Sequence, residues 1–170
     1  ACFDAIALAK DVDGVTCLGF GRMAMGEHAW GSATPAGIMR LLAAYEIALS
    51  GRHAVVVGRS PILGKPMALM LLNAHCTVTI CHSKTADLKG EVRNADILIA
   101  AIGRARFIGG AWIKPGAMAI DVGINRLDDG RIVGDGDFDS AKDVAGAITS
   151  VFYGLFILAR HKLVSEDLAR

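Results

Sequence analysis

Four short stretches do most to limit what this chain can fold into. HAVVV (53–57), CTVTIC (76–81), DILIAAIG (96–103) and AMAIDVG (117–123) are apolar or β-branched almost throughout. GKPMALMLLNA (64–74) and TADLKGEVRNA (85–95), which fall between them, have helical character. Strands that are apolar on both faces must be covered on both, and strands that alternate with helices run parallel. The pattern predicts an α/β fold: a Rossmann-like parallel sheet with helices on both faces. A further helix is expected over 32–47, with Ser32 or Thr34 as its cap and Pro35 in its first turn. Its buried face would carry Ile38, Leu41, Leu42 and Tyr45. Thr85 is the expected cap of the helix after the second strand. NRLDDGRIVG (125–134) reads as a hairpin turning at Asp129-Gly130. DSAKDVAGA (139–147) is expected to be helical, and the C-terminal run is expected to include a helix. Ligands of such sheets sit at the carboxyl ends of the strands. Those ends are Gly58-Arg59-Ser60, Cys81-His82-Ser83, Ile102-Gly103 and Val122-Gly123, and one site is predicted from them.

The first strand ends in Gly58, and a loop with Gly64, Lys65 and Pro66 leads into the next helix. This is how a strand hands a phosphate to a helix start. A P-loop needs four residues between its glycines, then Lys and a Ser or Thr for magnesium. Here five residues separate Gly58 from Gly64, and Pro66 stands where the hydroxyl would be. Asp121 imitates the magnesium-side acid, but without the hydroxyl an NTPase is disfavoured. The dinucleotide pattern G-x-G-x-x-G is not met literally, although its physics is. Gly58 allows a tight turn, and amides near Gly64 and Lys65 are expected to face a pyrophosphate. Pro66 costs no helical hydrogen bond in the first turn. NAD sites place an Asp or Glu at the end of the second strand for the ribose hydroxyls. This chain has His82-Ser83-Lys84 there, and Arg59 follows Gly58. A carboxylate repels a 2′-phosphate, whereas Arg, Ser and Lys attract it. NADP(H) is the expected ligand, against the alternative that Arg59 and Lys84 are ordinary solvated cations.

Composition narrows the remaining classes. With 53% hydrophobic residues and a net charge of +1, the chain is globular and carries no broad basic surface for nucleic acid. The longest late apolar run, VFYGLFILA (151–159), is under half a membrane span. No basic segment followed by an apolar core opens the sequence, so a cytoplasmic protein is expected. Cys2, Cys17, Cys76 and Cys81 form no C-x-x-C pair. Cys76 and Cys81 bracket a strand and point to opposite faces about 16 Å apart, too far for a disulfide or a shared zinc. No metal site is expected.

Several stretches, in order, resemble one family: KDVDGVT, GRMAMGE, ATPAGIMRLL, HAVVVGRSPILGKPMALMLL, TVTICHSKT, ADILIAAIG, WIKPGAMAIDVGINRL and IVGDGDF. The sequence is similar to bifunctional methylenetetrahydrofolate dehydrogenase / methenyltetrahydrofolate cyclohydrolases from about residue 5 to about residue 149. The resemblance implies an NADP-binding Rossmann-type domain over 32–170, preceded at 1–31 by the remnant of a substrate domain and its connection. It implies a folate substrate, a homodimer, oxidation of 5,10-methylenetetrahydrofolate and hydrolysis of the methenyl product to 10-formyltetrahydrofolate. By the same resemblance Gly58, Arg59 and Ser60 bind cofactor phosphates, and Ser83 with His82 lies near the 2′-phosphate. Gly103 lines the dinucleotide, Ile124 lies by the nicotinamide, and Asp13 hydrogen-bonds the pterin. Asp11 would serve structurally.

The sequence departs from the family in two places. The family's N-terminal substrate domain carries a Tyr-x-x-x-Lys motif with the cyclohydrolase lysine, and a supporting Gln. Here Tyr45 is followed four residues later by Leu49 and Tyr153 by Ile157, and there is no glutamine. After AGAIT the family continues PVPGGVGPMT, whereas this chain reads SVFYGLFILARHKL. The chain alone is therefore expected to bind NADP(H) while being weak or inert in both reactions. The alternative is a non-catalytic NADP(H)-binding or interaction module.

Overall fold

The computed structural model describes residues 3–152 and 155–159, with side chains through residue 146. Helices α1 (Cys17–Ala24) and α2 (Ala33–Ala44) lead into β1 (His53–Val57), α3 (Gly64–Asn73), β2 (Thr77–Cys81), α4 (Leu88–Asn94) and β3 (Ile97–Ala100). Then come β4 (Met118–Asp121), the short strands β5 (Asn125–Arg126) and β6 (Ile132–Val133), α5 (Phe138–Ala141), β7 (Ala147–Phe152) and β8 (Leu155–Ala159). The main sheet has the order β2-β1-β3-β4-β7-β8. Its neighbours run parallel, except for the antiparallel pair β7 and β8. The order reverses at β1 and β3, which makes their carboxyl ends the topological switch point.

Strand alternation sorts the core into two layers. Ala54, Val56, Ile97, Ile99 and Ile120 face α2 and α3, packing with Ile38, Leu42, Met67 and Leu71. Val55, Val57, Leu98, Ala100 and Ala119 face the other way, with Val92 of α4, Ile113 and Ala141 of α5. The Rossmann-like sheet thus has helices on both faces. Cys76 and Cys81 fall into opposite layers, as an odd separation along a strand requires. Cys2 lies outside the described residues.

Several local expectations are corrected. Helix α2 stops at Ala44, because Glu46 takes a left-handed φ of 53°; Tyr45 is left exposed beyond the buried face. Ser32 occupies the N-cap position, but its hydroxyl donates to the Gly14 carbonyl (3.2 Å) rather than capping. Thr85 does not cap α4. Asp87 does, accepting from the Gly90 amide (2.9 Å), while Thr85 Oγ1 accepts from the His82 amide (2.9 Å). A carboxylate at that position also gains from the helix dipole. The hairpin at 125–134 forms as expected, with Gly130 at φ 84°. Of the helix expected over 139–147, α5 (Phe138–Ala141) forms only the first turn, and Ala147 already belongs to β7. In the C-terminal run, expected to include a helix, the described residues form strands: Ala147–Phe152 lies along β4 and pairs with Leu155–Ala159. Its Val, Phe, Leu and Ile suit a pleated strand, and a short apolar run does not distinguish the two by periodicity. Tyr153, Gly154 and residues 160–170 lie outside the described residues.

One buried carboxylate organises the segment before α1. Asp11, 2% exposed, accepts from the Val15 amide (2.9 Å), the Thr16 amide (3.0 Å) and the Thr16 hydroxyl (2.6 Å). Thr16 Oγ1 accepts from the Gly19 amide (3.0 Å) and so caps α1. Burial works to raise the Asp11 pKa, but the bonds from Thr16, Val15 and Gly14 outweigh it and hold it below the usual 3.8. A carboxyl with a lowered folded pKa stabilises above its unfolded pKa, and that contribution is lost as pH falls through the folded value. Asp11→Asn is therefore expected to cost about 1–2 kcal/mol at pH 7 and much less in strong acid. Urea midpoints at the two pH values check this; an equal loss at both would refute it.

Candidate functional site

The carboxyl ends of β1, β2 and β3 enclose a cleft of about 300 Å³ at the switch point. The first wall is the loop after β1. Gly58 has φ 137°, and a Cβ there would collide with the Ala101 carbonyl. A Cβ on Gly64 would collide with the Gly58 carbonyl, so both glycines let α3 press against the end of β1. Ser60 closes the loop. Its Oγ accepts from the amides of Leu63 (3.1 Å) and Gly64 (3.2 Å), and its carbonyl accepts from the Lys65 amide (3.0 Å). This corrects the expectation that the Gly64 and Lys65 amides face a phosphate: both are satisfied inside the loop. The Arg59 and Ser60 amides, by contrast, bond to no other described residue. Both residues line the cleft.

His82 and Ser83 bring the end of β2 into the same cleft. His82 Nδ1 accepts from the Lys84 amide (3.1 Å), which leaves Nε2 as the protonated nitrogen of the neutral ring. Lys84 is exposed beside them. No Asp or Glu lines the cleft.

The third wall is the loop after β3, and it hangs from a carboxylate. Asp135, fully buried, accepts from the amides of Ile102 (2.6 Å), Gly103 (2.9 Å) and Arg104 (2.8 Å) and from Asn125 Nδ2 (2.8 Å). The Asp135 amide donates to Asp121 Oδ1 (2.9 Å). Asp121 also accepts from the amides of Gly123 (2.9 Å) and Gly136 (2.8 Å). Burial pushes the Asp121 carboxyl up, against the pull of the Gly136, Asp135 and Gly123 amides, and the Asp135 charge adds to the rise. Asp121 is thus a backbone acceptor at the end of β4. Neither carboxylate lines the cleft. Among the described residues, no cluster of three His, Cys, Asp or Glu is placed to hold a metal.

The sequence-predicted residues divide accordingly. Gly58, Arg59, Ser60, His82 and Ser83 come together. Gly103 sits in the third wall between the lining residues Ile102 and Arg104, at φ 71°. Ile124 follows β4, half exposed, and does not line the cleft. The Val122-Gly123 strand end also stays outside it. Asp13 is exposed on a separate cleft of about 480 Å³ with Phe3, Lys10, Thr34 and Ile62. The loop after β1 joins the two, since Arg59 and Ser60 line one and Ile62 the other. A third cleft, about 580 Å³, lies at the amino ends of β3 and β4, where Lys114 already pairs with Asp96 at 2.6 Å. That end of a parallel sheet is not where its ligands bind. Residue-by-residue reading did not single out Asp135, Arg104 or Phe107. For Asp135 no local signal exists, since the amides it accepts lie at 102–104 and the Gly136 amide beside it goes to Asp121.

The comparisons agree with this geometry. The family described as tetrahydrofolate dehydrogenase/cyclohydrolase, NAD(P)-binding domain, matches residues 32–168. The bifunctional protein FolD of Teredinibacter turnerae is 60% identical over 167 residues, covering 98% of this chain and 58% of its own. The FolD methylenetetrahydrofolate dehydrogenase/cyclohydrolase of Campylobacter jejuni superposes with a TM-score of 0.85 at 43% identity, over 89% of this chain and 54% of that one. A Trypanosoma brucei N5,N10-methylenetetrahydrofolate dehydrogenase-cyclohydrolase, solved with NADP cofactor and inhibitor, gives 0.80 at 34% identity, over 88% and 53%. The chain spans little more than half the length of these relatives.

Proposed function

The chain belongs to the tetrahydrofolate dehydrogenase/cyclohydrolase family, and from that premise we propose that it supplies the NADP-binding half of the enzyme. That enzyme oxidises 5,10-methylenetetrahydrofolate to methenyltetrahydrofolate and hydrolyses the product to 10-formyltetrahydrofolate. The observation that carries the reading is the cleft at the switch point. It is walled by Arg59, Ser60, His82 and Ser83 and has no carboxylate to repel a phosphate. When bound, NADP supplies the hydride acceptor.

The chain's own residues bind and orient. Gly58, which lines the cleft and turns the loop against Ala101, would sit beside the cofactor phosphates, and the free amides of Arg59 and Ser60 would donate to their oxygens. The Arg59 guanidinium, with His82 and Ser83, would hold the 2′-phosphate. Gly103 would line the dinucleotide and Ile124 would offer an apolar side to the nicotinamide. Asp13, exposed on the neighbouring cleft, would accept from the amino-pyrimidine edge of the pterin. In this reading residues 1–31 belong to the substrate side, residues 32–170 form the cofactor unit, and the assembly is a cytoplasmic homodimer.

Arg59→Ala is expected to weaken NADPH binding about tenfold, the value of one charge-assisted phosphate contact, and to leave NADH nearly unchanged. Fluorescence titration of both nucleotides reads this. Equal binding of NADH and NADPH by the unsubstituted chain would overturn the assignment.

A second reading, a non-catalytic NADP(H)-binding module, is favoured by one observation: after AGAIT this chain reads SVFYGLFILA where the resembled family reads PVPGGVGPMT. Selective NADPH binding without cyclohydrolase turnover would support it, and robust turnover would exclude it.

A further inference from the structure

We propose that Arg104 is a further cofactor-recognition residue of the cleft, the cation for the pyrophosphate that NADP and NAD share. The inference rests on the dinucleotide reading above and adds a residue that neither the motifs nor that reading assigns.

The need for such a cation follows from the loop after β1. A pyrophosphate at a switch point normally draws on amides at the following helix start. In this chain Ser60 has already taken the Gly64 and Lys65 amides. Arg59 and Ser60 offer two free amides to a doubly charged group. Further positive charge has to come from another wall.

Arg104 is placed to supply it. It lines the cleft on the β3 side of the switch point, whereas Arg59, His82 and Ser83 line the β1 and β2 sides. Its guanidinium carbon lies 4.1 Å from the ring centroid of Phe107, which lines the same cleft. Phe107 is braced edge-on by Trp112, with centroids 5.5 Å apart and planes at 75°. The Arg104 amide is fixed to Asp135 Oδ1 at 2.8 Å. Backbone and side chain are therefore both held. Stacking uses one face of the guanidinium and leaves its edge of N–H donors free. Among the described residues Arg104 forms no ion pair, and the cleft contains no carboxylate to quench it.

The test is to titrate NADPH and NADH into the unsubstituted chain, Arg104→Gln and Arg59→Gln. Arg104 is exposed, so Gln leaves the core intact. Arg104→Gln is expected to weaken both nucleotides by the same factor, about tenfold, with the preference for NADPH unchanged. Arg59→Gln should instead erode that preference. Phe107→Leu keeps the charge but removes the stack, and should weaken both nucleotides about threefold. Unchanged binding in Arg104→Gln would make Arg104 a solvated cation and overturn the proposal. A loss confined to NADPH would also overturn it, by assigning Arg104 to the 2′-phosphate. If the unsubstituted chain binds neither nucleotide, the dinucleotide reading itself fails and takes this inference with it.

Discussion

Asp135→Ala is expected to lower the melting temperature by roughly 10 °C and to weaken NADPH binding by at least about a hundredfold. The carboxylate is fully buried and accepts four hydrogen bonds, three of them from consecutive amides of the wall after β3. Its removal strands those donors without an acceptor. Bonds to a charged partner are each worth about 1.5–3 kcal/mol, and such neighbours do not add fully. A net loss of about 4 kcal/mol is reasonable on that basis, and at roughly 2–4 °C per kcal/mol for a chain of this size it gives the stated shift. The larger effect on binding arises because the freed loop carries Ile102 and Arg104 away from the cleft. Asp135→Asn is the sharper variant. It keeps the shape but turns an NH2 group toward amide donors, so it should be no better than Ala. Calorimetry and nucleotide titration on both variants decide the matter. A stable Asp135→Asn with unaltered binding would show that the carboxylate does not hold the wall.

The second large effect is expected at Gly58. Alanine there must adopt φ near 137° and place its Cβ into the Ala101 carbonyl. Backbone strain costs about 1–3 kcal/mol and overpacking about as much again. The collision lies between β1 and β3, so relief would spread the strands at the switch point and deform the cleft. Gly58→Ala should lose about 3 kcal/mol or more and nearly all nucleotide affinity. Gly51 provides the control. Its φ is 75°, but a Cβ there meets nothing within 4 Å. Gly51→Ala should cost only about 1–2 kcal/mol and leave binding intact. Chemical denaturation and titration of the two variants separate strain from collision. Equal behaviour would mean that the close approach to Ala101 carries no weight.

The sheet was the most legible part of this chain. β1, β3 and β4, buried on both faces, leave a mark that no loop imitates, and β2, half exposed at the sheet edge, still lies where its β-branched run stands. Caps were less legible, because Ser32, Thr85 and Asp87 are all competent and tertiary geometry chose among them. Ser32 was drawn away by the Gly14 carbonyl and Thr85 by the His82 amide. The apolar C-terminal run was ambiguous because its residues suit either state and the free edge of β4 decided in favour of a strand. At the site, Gly58, Arg59, Ser60, His82 and Ser83 were legible because each directly follows a strand. Asp135 and Arg104 were not, since their roles depend on a contact spanning thirty-one positions. The helix-start amides misled for a local reason: a serine in the loop satisfied them first.

The knot formed by Asp121 and Asp135 has a bearing on motion. The wall after β3 hangs from Asp135, and the segment that carries Asp135 and Gly136 hangs in turn from Asp121. Opening any one bond leaves its carboxylate in place and the neighbouring bonds intact, so partial fraying gains little entropy and is readily reversed. Releasing the wall therefore requires its three amides to leave Asp135 together. Opening of the cleft from this side is therefore expected as a cooperative event rather than as the breathing of single side chains.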